Sequence, residues 1–159
     1  MTAQLVATFL GVGHLRPAPG TWGSLAALPM AWLVMQGGPF LFTAVTAMLL
    51  PLGYWATVQV TAGALDHDPS EVVIDEVLGQ WIALLPIVWG AWAAGAAVTA
   101  LWPGWLAAFV AFRLFDIWKP GPVGWLDARK DAWGVMLDDA VAGGFAACVV
   151  VLLAGVAHV

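Results

Sequence analysis

Charged residues are missing from three long stretches of this chain, and that fact narrows its fold more than any motif does. No Asp, Glu, Lys or Arg occurs between Arg16 and Asp66, between Glu76 and Arg113, or after Asp139. Each stretch has room for at least one run of about 20 apolar residues, the length a helix needs to cross the hydrocarbon core of a bilayer. Only 9% of the 159 residues are charged and 62% are hydrophobic, against roughly a quarter charged in an ordinary soluble domain. A water-soluble fold of this size could not cover itself with so little polar surface. The chain is therefore expected to be an all-α, integral membrane helical bundle, solvated mostly by lipid. Its net charge of −5 gives no support to a nucleic-acid partner, which wants a basic patch.

The apolar runs predict about five spans plus a short N-terminal interfacial helix, in one domain over residues 1–159. Met1 to Gly13 lacks the positive n-region and the clear cleavage site of a signal peptide. It is also too short to span, and reads as an interfacial or re-entrant helix. The first span, Trp22 to Gln36, is short, contains Pro29 and ends at Gly37-Gly38-Pro39. The second runs from Phe40 to Ala64. Val77 to Phe112, about 36 residues, is too long for one crossing and just long enough for a hairpin of two. Its turn is expected near Trp89-Gly90 or at Pro103-Gly104, the second being the stronger breaker. The last span is Ala140 to Val159. The single cysteine, Cys148, cannot form an intrachain disulfide and reads as packing filler.

Counting crossings brings the polar segments together. Spans one and two go out and return, and the hairpin does the same. The loop at His14 to Thr21, the segment Asp66 to Glu76 and the segment Arg113 to Asp139 therefore share one membrane face. All five cations (Arg16, Arg113, Lys119, Arg129 and Lys130) fall on that side, which the positive-inside rule makes cytoplasmic. Trp89, Trp92, Trp102 and Trp105 bracket the far turn, while Trp118, Trp125 and Trp133 lie on the charged side. Both sets read as interfacial aromatic belts.

Five carboxylates stand at or just inside apolar segments: Asp75 and Glu76 heading span three, Asp116 at the foot of span four, and Asp138 and Asp139 heading the last span. A carboxylate near hydrocarbon is costly unless paired, hydrated or metal-bound. Capping of helix N-termini explains one such residue but not two adjacent pairs plus Asp116 on one face. A hard divalent cation relieves the repulsion, and Mg²⁺ is the expected one because it takes oxygen ligands and keeps waters for a substrate phosphate. No His/Cys cluster has zinc spacing. Neighbours on a helix diverge by about 100°, so one member of each pair is expected to bind metal and the other to orient water or pair with Arg113 or Lys119.

Arg113, Asp116 and Lys119 recur at a spacing of three, which puts them on one helix face ended by Pro120. A local salt bridge is the plain reading. The alternative is Asp116 on metal with Lys119 or Arg113 holding an anionic oxygen. In the first loop, Arg16-Pro17-Ala18-Pro19-Gly20-Thr21-Trp22-Gly23-Ser24 leads into a helix start that Thr21 or Ser24 can cap. Its free N–H groups suit a phosphate, so Arg16, Gly20, Thr21 and Ser24 join Arg113 and Lys119 as candidate phosphate-binding residues. Asp66, Asp68 and Asp131 read as solvated.

Four ordered blocks carry a family resemblance: Pro19-Gly20-Thr21-x-Gly23-Ser24-Leu25; Asp75-Glu76-x-x-Gly79; Phe112-Arg113-x-Phe115-Asp116-Ile117-x-Lys119-Pro120-x-Pro122; and Gly134-Val135-Met136-Leu137-Asp138-Asp139-x-x-Ala142-Gly143. Together, from about residue 10 to 145, they resemble the phosphatidylglycerophosphatase A family. The resemblance implies a multi-pass, Mg²⁺-dependent lipid phosphatase of a bacterial inner membrane. Such an enzyme removes the terminal phosphate of phosphatidylglycerophosphate to give phosphatidylglycerol at the cytoplasmic face. The catalytic set is then Asp75, Glu76, Asp116 and Asp139, with metal ligands drawn from these and Asp138. The nucleophile is a water activated by the metal, or a carboxylate that forms an aspartyl-phosphate.

Other readings fit less well. A CDP-alcohol phosphotransferase shares Asp127-Ala128-Arg129 and Asp138 but needs an Asp-Gly that is missing. Type 2 phosphatidic-acid phosphatases need two histidines in set motifs, and His67 and His158 lack that context. Asp66-His67-Asp68 mimics the start of a haloacid-dehalogenase site without its preceding strand. A small transporter or ion channel places acids at mid-membrane, whereas spans one, two and five are nearly free of ionisable groups.

Overall fold

The computed structural model describes residues 1–63 and 69–157, and among these every regular element is helical. The helices in chain order are α1 (Thr2–Ala7), α2 (Pro19–Met35), α3 (Pro39–Thr61), α4 (Ile74–Ala94), α5 (Trp102–Trp118), α6 (Pro122–Asp127) and α7 (Ala132–Ala157). Short 3-10 turns, Val12–His14 and Val98–Leu101, precede α2 and α5. Ala64, expected to end the second span, lies outside the described residues, as do Asp66, His67, Asp68 and His158.

Four segments are long and apolar enough to cross a membrane: α3, α4, Val98–Trp118 and the greater part of α7. α2, the span expected to be short, has 17 residues, about 25 Å of helix against a hydrocarbon core of about 30 Å. Large apolar side chains such as Leu33, Met48, Leu106, Leu114 and Leu152 point outward. A soluble monomer does not expose apolar surface on this scale, so the helical membrane bundle expected from composition is the architecture observed. α1 is shorter than the stretch expected to be helical, and Ala7 and Thr8 at its end are buried.

Proline and glycine place the turns. Pro39 and Pro103 stand in the first turns of α3 and α5, where their missing N–H costs nothing. The hairpin turn lies at neither expected position. Gly90 stays inside α4, which ends at Gly95 in a left-handed conformation (φ 61°), and residues 95–101 form the turn. Pro103 starts a helix here instead of breaking one. Trp92 and Trp102 at this end, and Trp118 and Trp125 at the other, are largely exposed, as belts require. Trp81 is different: it is buried and its Nε1–H donates to Ala27 O at 3.0 Å, tying α4 to α2. Cys148, expected to fill the core, faces outward from α7.

α4 is the central helix, with 56% of its spanning stretch buried against 17–28% in the other three. Small residues let its neighbours approach closely, as membrane helices require. Gly143 of α7 lies on the backbone of Gly79, where any Cβ would overlap the Gly79 carbonyl. A Cβ on Gly79 would strike the Phe112 ring of α5 and sit 2.6 Å from Asp139 O. Both α4 and α7 begin at the polar end, and Asp75 and Asp139 each lie four residues before these glycines. The crossing therefore sits one helical turn below a facing pair of carboxylates.

Candidate active site

The aspartates of the last span do not head it. The sequence suggested a start at Ala140, because charge in hydrocarbon is costly. α7 instead begins at Ala132 and has no acid in its first turn, so Asp138 and Asp139 lie within the helix. They are tolerated because they face protein rather than lipid, and both are buried. The positive helix end that favours Asp75 and Glu76 in the first turn of α4 is not available to them.

Asp131 takes the capping role. Its Oδ1 accepts the Gly134 N–H at 2.7 Å, and Oδ2 meets Arg129 Nη2 at 2.9 Å. The guanidinium first, and the Gly134 amide second, hold this carboxyl below its ordinary value. The residue is thus an N-cap rather than a merely solvated acid. Asparagine caps as well as aspartate, so Asp131→Asn should melt like the wild type. Asp131→Ala should lose about 1 kcal/mol, read from thermal unfolding in detergent, with catalysis unchanged.

Asp75, Glu76 and Asp139 bring one carboxylate oxygen each to within 4.8 Å of one another. Both members of the first acid pair join this group, contrary to the expected division of one per pair. A hydrogen bond links Asp75 and Glu76, and the longer Glu76 side chain reaches round the helix. The second pair does divide. Asp138 turns away to Lys119 (Oδ2–Nζ 2.8 Å) while its Oδ1 accepts the Asp139 N–H at 2.9 Å. Asp116 is ion-paired with Arg113 at 2.5 Å and is in hydrogen-bonding contact with Asp139.

The cluster lines a cavity of about 390 Å³ that draws on all three polar segments. Pro19 and Gly20 come from the first, Ser70, Asp75 and Glu76 from the second, and Arg113, Asp116, Lys119, Asp138 and Asp139 from the third. The convergence deduced from counting crossings is thus present. Glu76 Oε2 and Asp139 Oδ2 are buried with no hydrogen-bond partner among the described residues. Converging anionic oxygens, some of them unsatisfied, cannot all stay ionised unless a cation joins them. An all-oxygen donor set suits a hard divalent cation, so the residues fit a metal site.

The basic half of the cavity is more selective than expected. Arg113 reaches Ser24 Oγ at 3.4 Å as well as Asp116. Lys119 closes α5 in a left-handed conformation (φ 50°), which swings it off the shared helix face towards Asp138 and Asp127. Burial works against its charge, but hydrogen bonds from Nζ to Asp127 and Asp138 outweigh that and raise it above the ordinary lysine value. Asp127, at the end of α6, entered the sequence reading only as part of a rejected phosphotransferase signature and not as a partner of Lys119. It lies in a hydrophilic stretch, and only the fold brings it to Lys119.

Ser24 does not cap α2. Its hydroxyl donates to Gly20 O at 2.9 Å and the N-cap is Ala18, without a side-chain bond. Thr21 does not line the cavity, and its N–H donates to Ala18 O at 3.0 Å. Arg16 is exposed at the rim and donates to Ser70 Oγ at 3.0 Å. Gly20 remains the candidate phosphate-binding residue of this turn that meets the cavity. A Cβ there would overlap the Glu76 carboxylate and stand 3.3 Å from Arg113 Nη1. Gly20→Ala should therefore leave a folded protein, because Glu76 can rotate away. Turnover should fall by about 100-fold through the displaced carboxylate, measured as phosphate release at saturating substrate.

The family model described as Phosphatidylglycerophosphatase A matches residues 5–154 of this chain. A Haemophilus influenzae protein named phosphatidylglycerophosphatase A is 37% identical over 150 residues, covering 92% of this chain and 85% of that protein. The Escherichia coli protein of the same name is 36% identical over 143 residues, covering 88% and 76%. A Bacteroides thetaiotaomicron protein, named provisionally as a phosphatidylinositol-3-phosphatase, is 38% identical over 149 residues, covering 87% and 85%. No solved structure matches the chain.

Proposed function

Because this chain belongs to the phosphatidylglycerophosphatase A family, we propose that it hydrolyses phosphatidylglycerophosphate to phosphatidylglycerol and inorganic phosphate. The reaction is Mg²⁺-dependent and takes place at the cytoplasmic face of a bacterial inner membrane. The observation that carries this reading is the buried group of Asp75, Glu76 and Asp139 beside Arg113 and Lys119 in one cavity. An acidic metal-binding half and a basic anion-binding half are what a phosphomonoester requires.

Asp75, Glu76 and Asp139 hold the cation, which supplies charge neutralisation and an acidified water when bound. Arg113 and Lys119 face the non-bridging oxygens of the phosphate, and Gly20, at an uncapped helix start, adds backbone N–H. Asp116 keeps Arg113 in place, and Asp127 and Asp138 do the same for Lys119. Water oxygen bonds to phosphorus, the phosphorus–oxygen bond to glycerol breaks, and a proton from the water ends on that glycerol oxygen. The acyl chains stay between helices while the headgroup enters from the interface. One membrane-embedded phosphatase domain suffices for this.

The name of the Bacteroides relative makes phosphatidylinositol 3-phosphate the competing substrate. Purified protein in detergent is offered each short-chain lipid separately, and the lipid product is identified. Phosphatidylglycerol formation at the higher kcat/KM supports the proposal. Faster release from the inositol lipid reassigns the substrate, and ion flux in vesicles without phosphate release sinks the enzyme.

A further inference from the structure

Gln80 lies on α4 four residues after Glu76, hence one turn deeper on the same face. It is fully buried, and neither the nitrogen nor the oxygen of its amide has a hydrogen-bond partner among the described residues. Burying an amide without partners is unfavourable, and an apolar side chain of similar shape would avoid that penalty altogether. Its surroundings carry matching deficits. Glu76 Oε2 is buried without a donor, and Arg113 Nε is buried without an acceptor.

The helices that carry these groups, α2, α4 and α5, pack against one another. Gly20 lies against both the Glu76 carboxylate and Arg113 Nη1. Phe112, next to Arg113, packs on Gly79, next to Gln80. A primary amide has two N–H donors and a carbonyl acceptor, which complements a carboxylate oxygen on one side and a guanidinium N–H on the other. Gln80 itself does not line the open cavity, so it touches neither substrate nor bulk water.

We infer that Gln80 is a positioning residue whose amide is linked through buried water to Glu76 Oε2, as donor, and to Arg113 Nε, as acceptor. One side chain then sets the distance between the metal-side carboxylate and the phosphate-side guanidinium. This rests on the function proposed above for the same site.

The test is Gln80→Met, an unbranched apolar side chain of similar reach, with Gln80→Leu as the second variant. Both should still fold, with a modestly lowered melting temperature, because Glu76 Oε2 and Arg113 Nε lose their link to the amide. Turnover should fall about 10- to 100-fold with KM for the lipid within about twofold. The Mg²⁺ concentration giving half of the metal-induced rise in melting temperature, measured without substrate, should climb by a similar factor. Wild-type turnover and an unchanged Mg²⁺ midpoint in either folded variant overturn the inference. Failure of both variants to fold overturns it too, since the amide would then be a structural element. If wild-type protein shows the Mg²⁺ shift but releases no phosphate from phosphatidylglycerophosphate, the proposed function fails while the metal midpoint still decides the role of Gln80.

Discussion

Asp139→Asn is expected to lower phosphate release about 100- to 1,000-fold while leaving a protein that purifies as a folded species in detergent. Asp139 is the residue of α7 that completes the group formed by Asp75 and Glu76 on α4. It is nearly inaccessible, and its Oδ2 has no hydrogen-bond partner among the described residues. Its removal takes away one of three converging carboxylates and with it most of the drive to bind a divalent cation. Folding should not suffer, because the variant lessens the repulsion that a cation-free cluster imposes. Asp138→Asn, one residue away, should cost far less. Its carboxylate sits on Lys119, and Asp127 keeps a second contact with the same ammonium at 2.5 Å. The ratio of the two losses, from initial rates at saturating lipid, separates the cation-binding role from the cation-steadying one.

Gly143→Val is expected to have an equally large effect by a different route. A Cβ at position 143 would overlap the carbonyl oxygen of Gly79 and lie 2.9 Å from its carbon. These are backbone atoms of the central helix and cannot rotate aside. α7 must move off α4, at a cost of about 1–3 kcal/mol or more for overpacking. The displacement also separates Asp139 from Asp75, each one turn from the crossing. Activity should vanish together with a lowered melting temperature and a broadened elution profile. Gly144→Ala is the control, since nothing among the described residues lies within 4 Å of the added Cβ, and it should behave as wild type. Loss at 143 and none at 144 would place the effect at the helix crossing and not in helix propensity.

What the sequence made legible follows from the cost of burying charge. Asp75, Glu76, Asp116 and Asp139 stood out because acids abutting apolar runs demand a partner, and the fold does gather them at one end. The same logic misplaced the start of α7, because hydropathy cannot distinguish a charge facing lipid from one facing protein. It also offered Arg16 and Thr21 for phosphate binding; neither lines the cavity, Arg16 donating to Ser70 at its edge and the Thr21 N–H to Ala18 O. A loop written as Pro-Ala-Pro-Gly-Thr does not reveal which N–H groups are already taken. Gly79 and Gly143 were visible as motif letters, but their contact is a property of the α4–α7 crossing. Asp127 and Gln80 were illegible for opposite reasons. One lay in an unremarkable polar stretch until the fold carried it to Lys119, and the other is a neutral amide whose meaning lies in having no partner among the described residues. The hairpin turn was missed because Pro-Gly was weighed as a breaker, whereas Pro103 opens a helix behind a separate stop at Gly95.

The most direct test is inorganic phosphate release from short-chain phosphatidylglycerophosphate by the purified protein, titrated with Mg²⁺ after chelation. The site predicts no turnover without the cation, saturable restoration as Mg²⁺ is added, and a midpoint shifted to higher Mg²⁺ in Glu76→Gln. Full turnover in chelator, or a Mg²⁺ midpoint that ignores the loss of Glu76, would contradict a metal-bearing cluster at the polar end of this bundle.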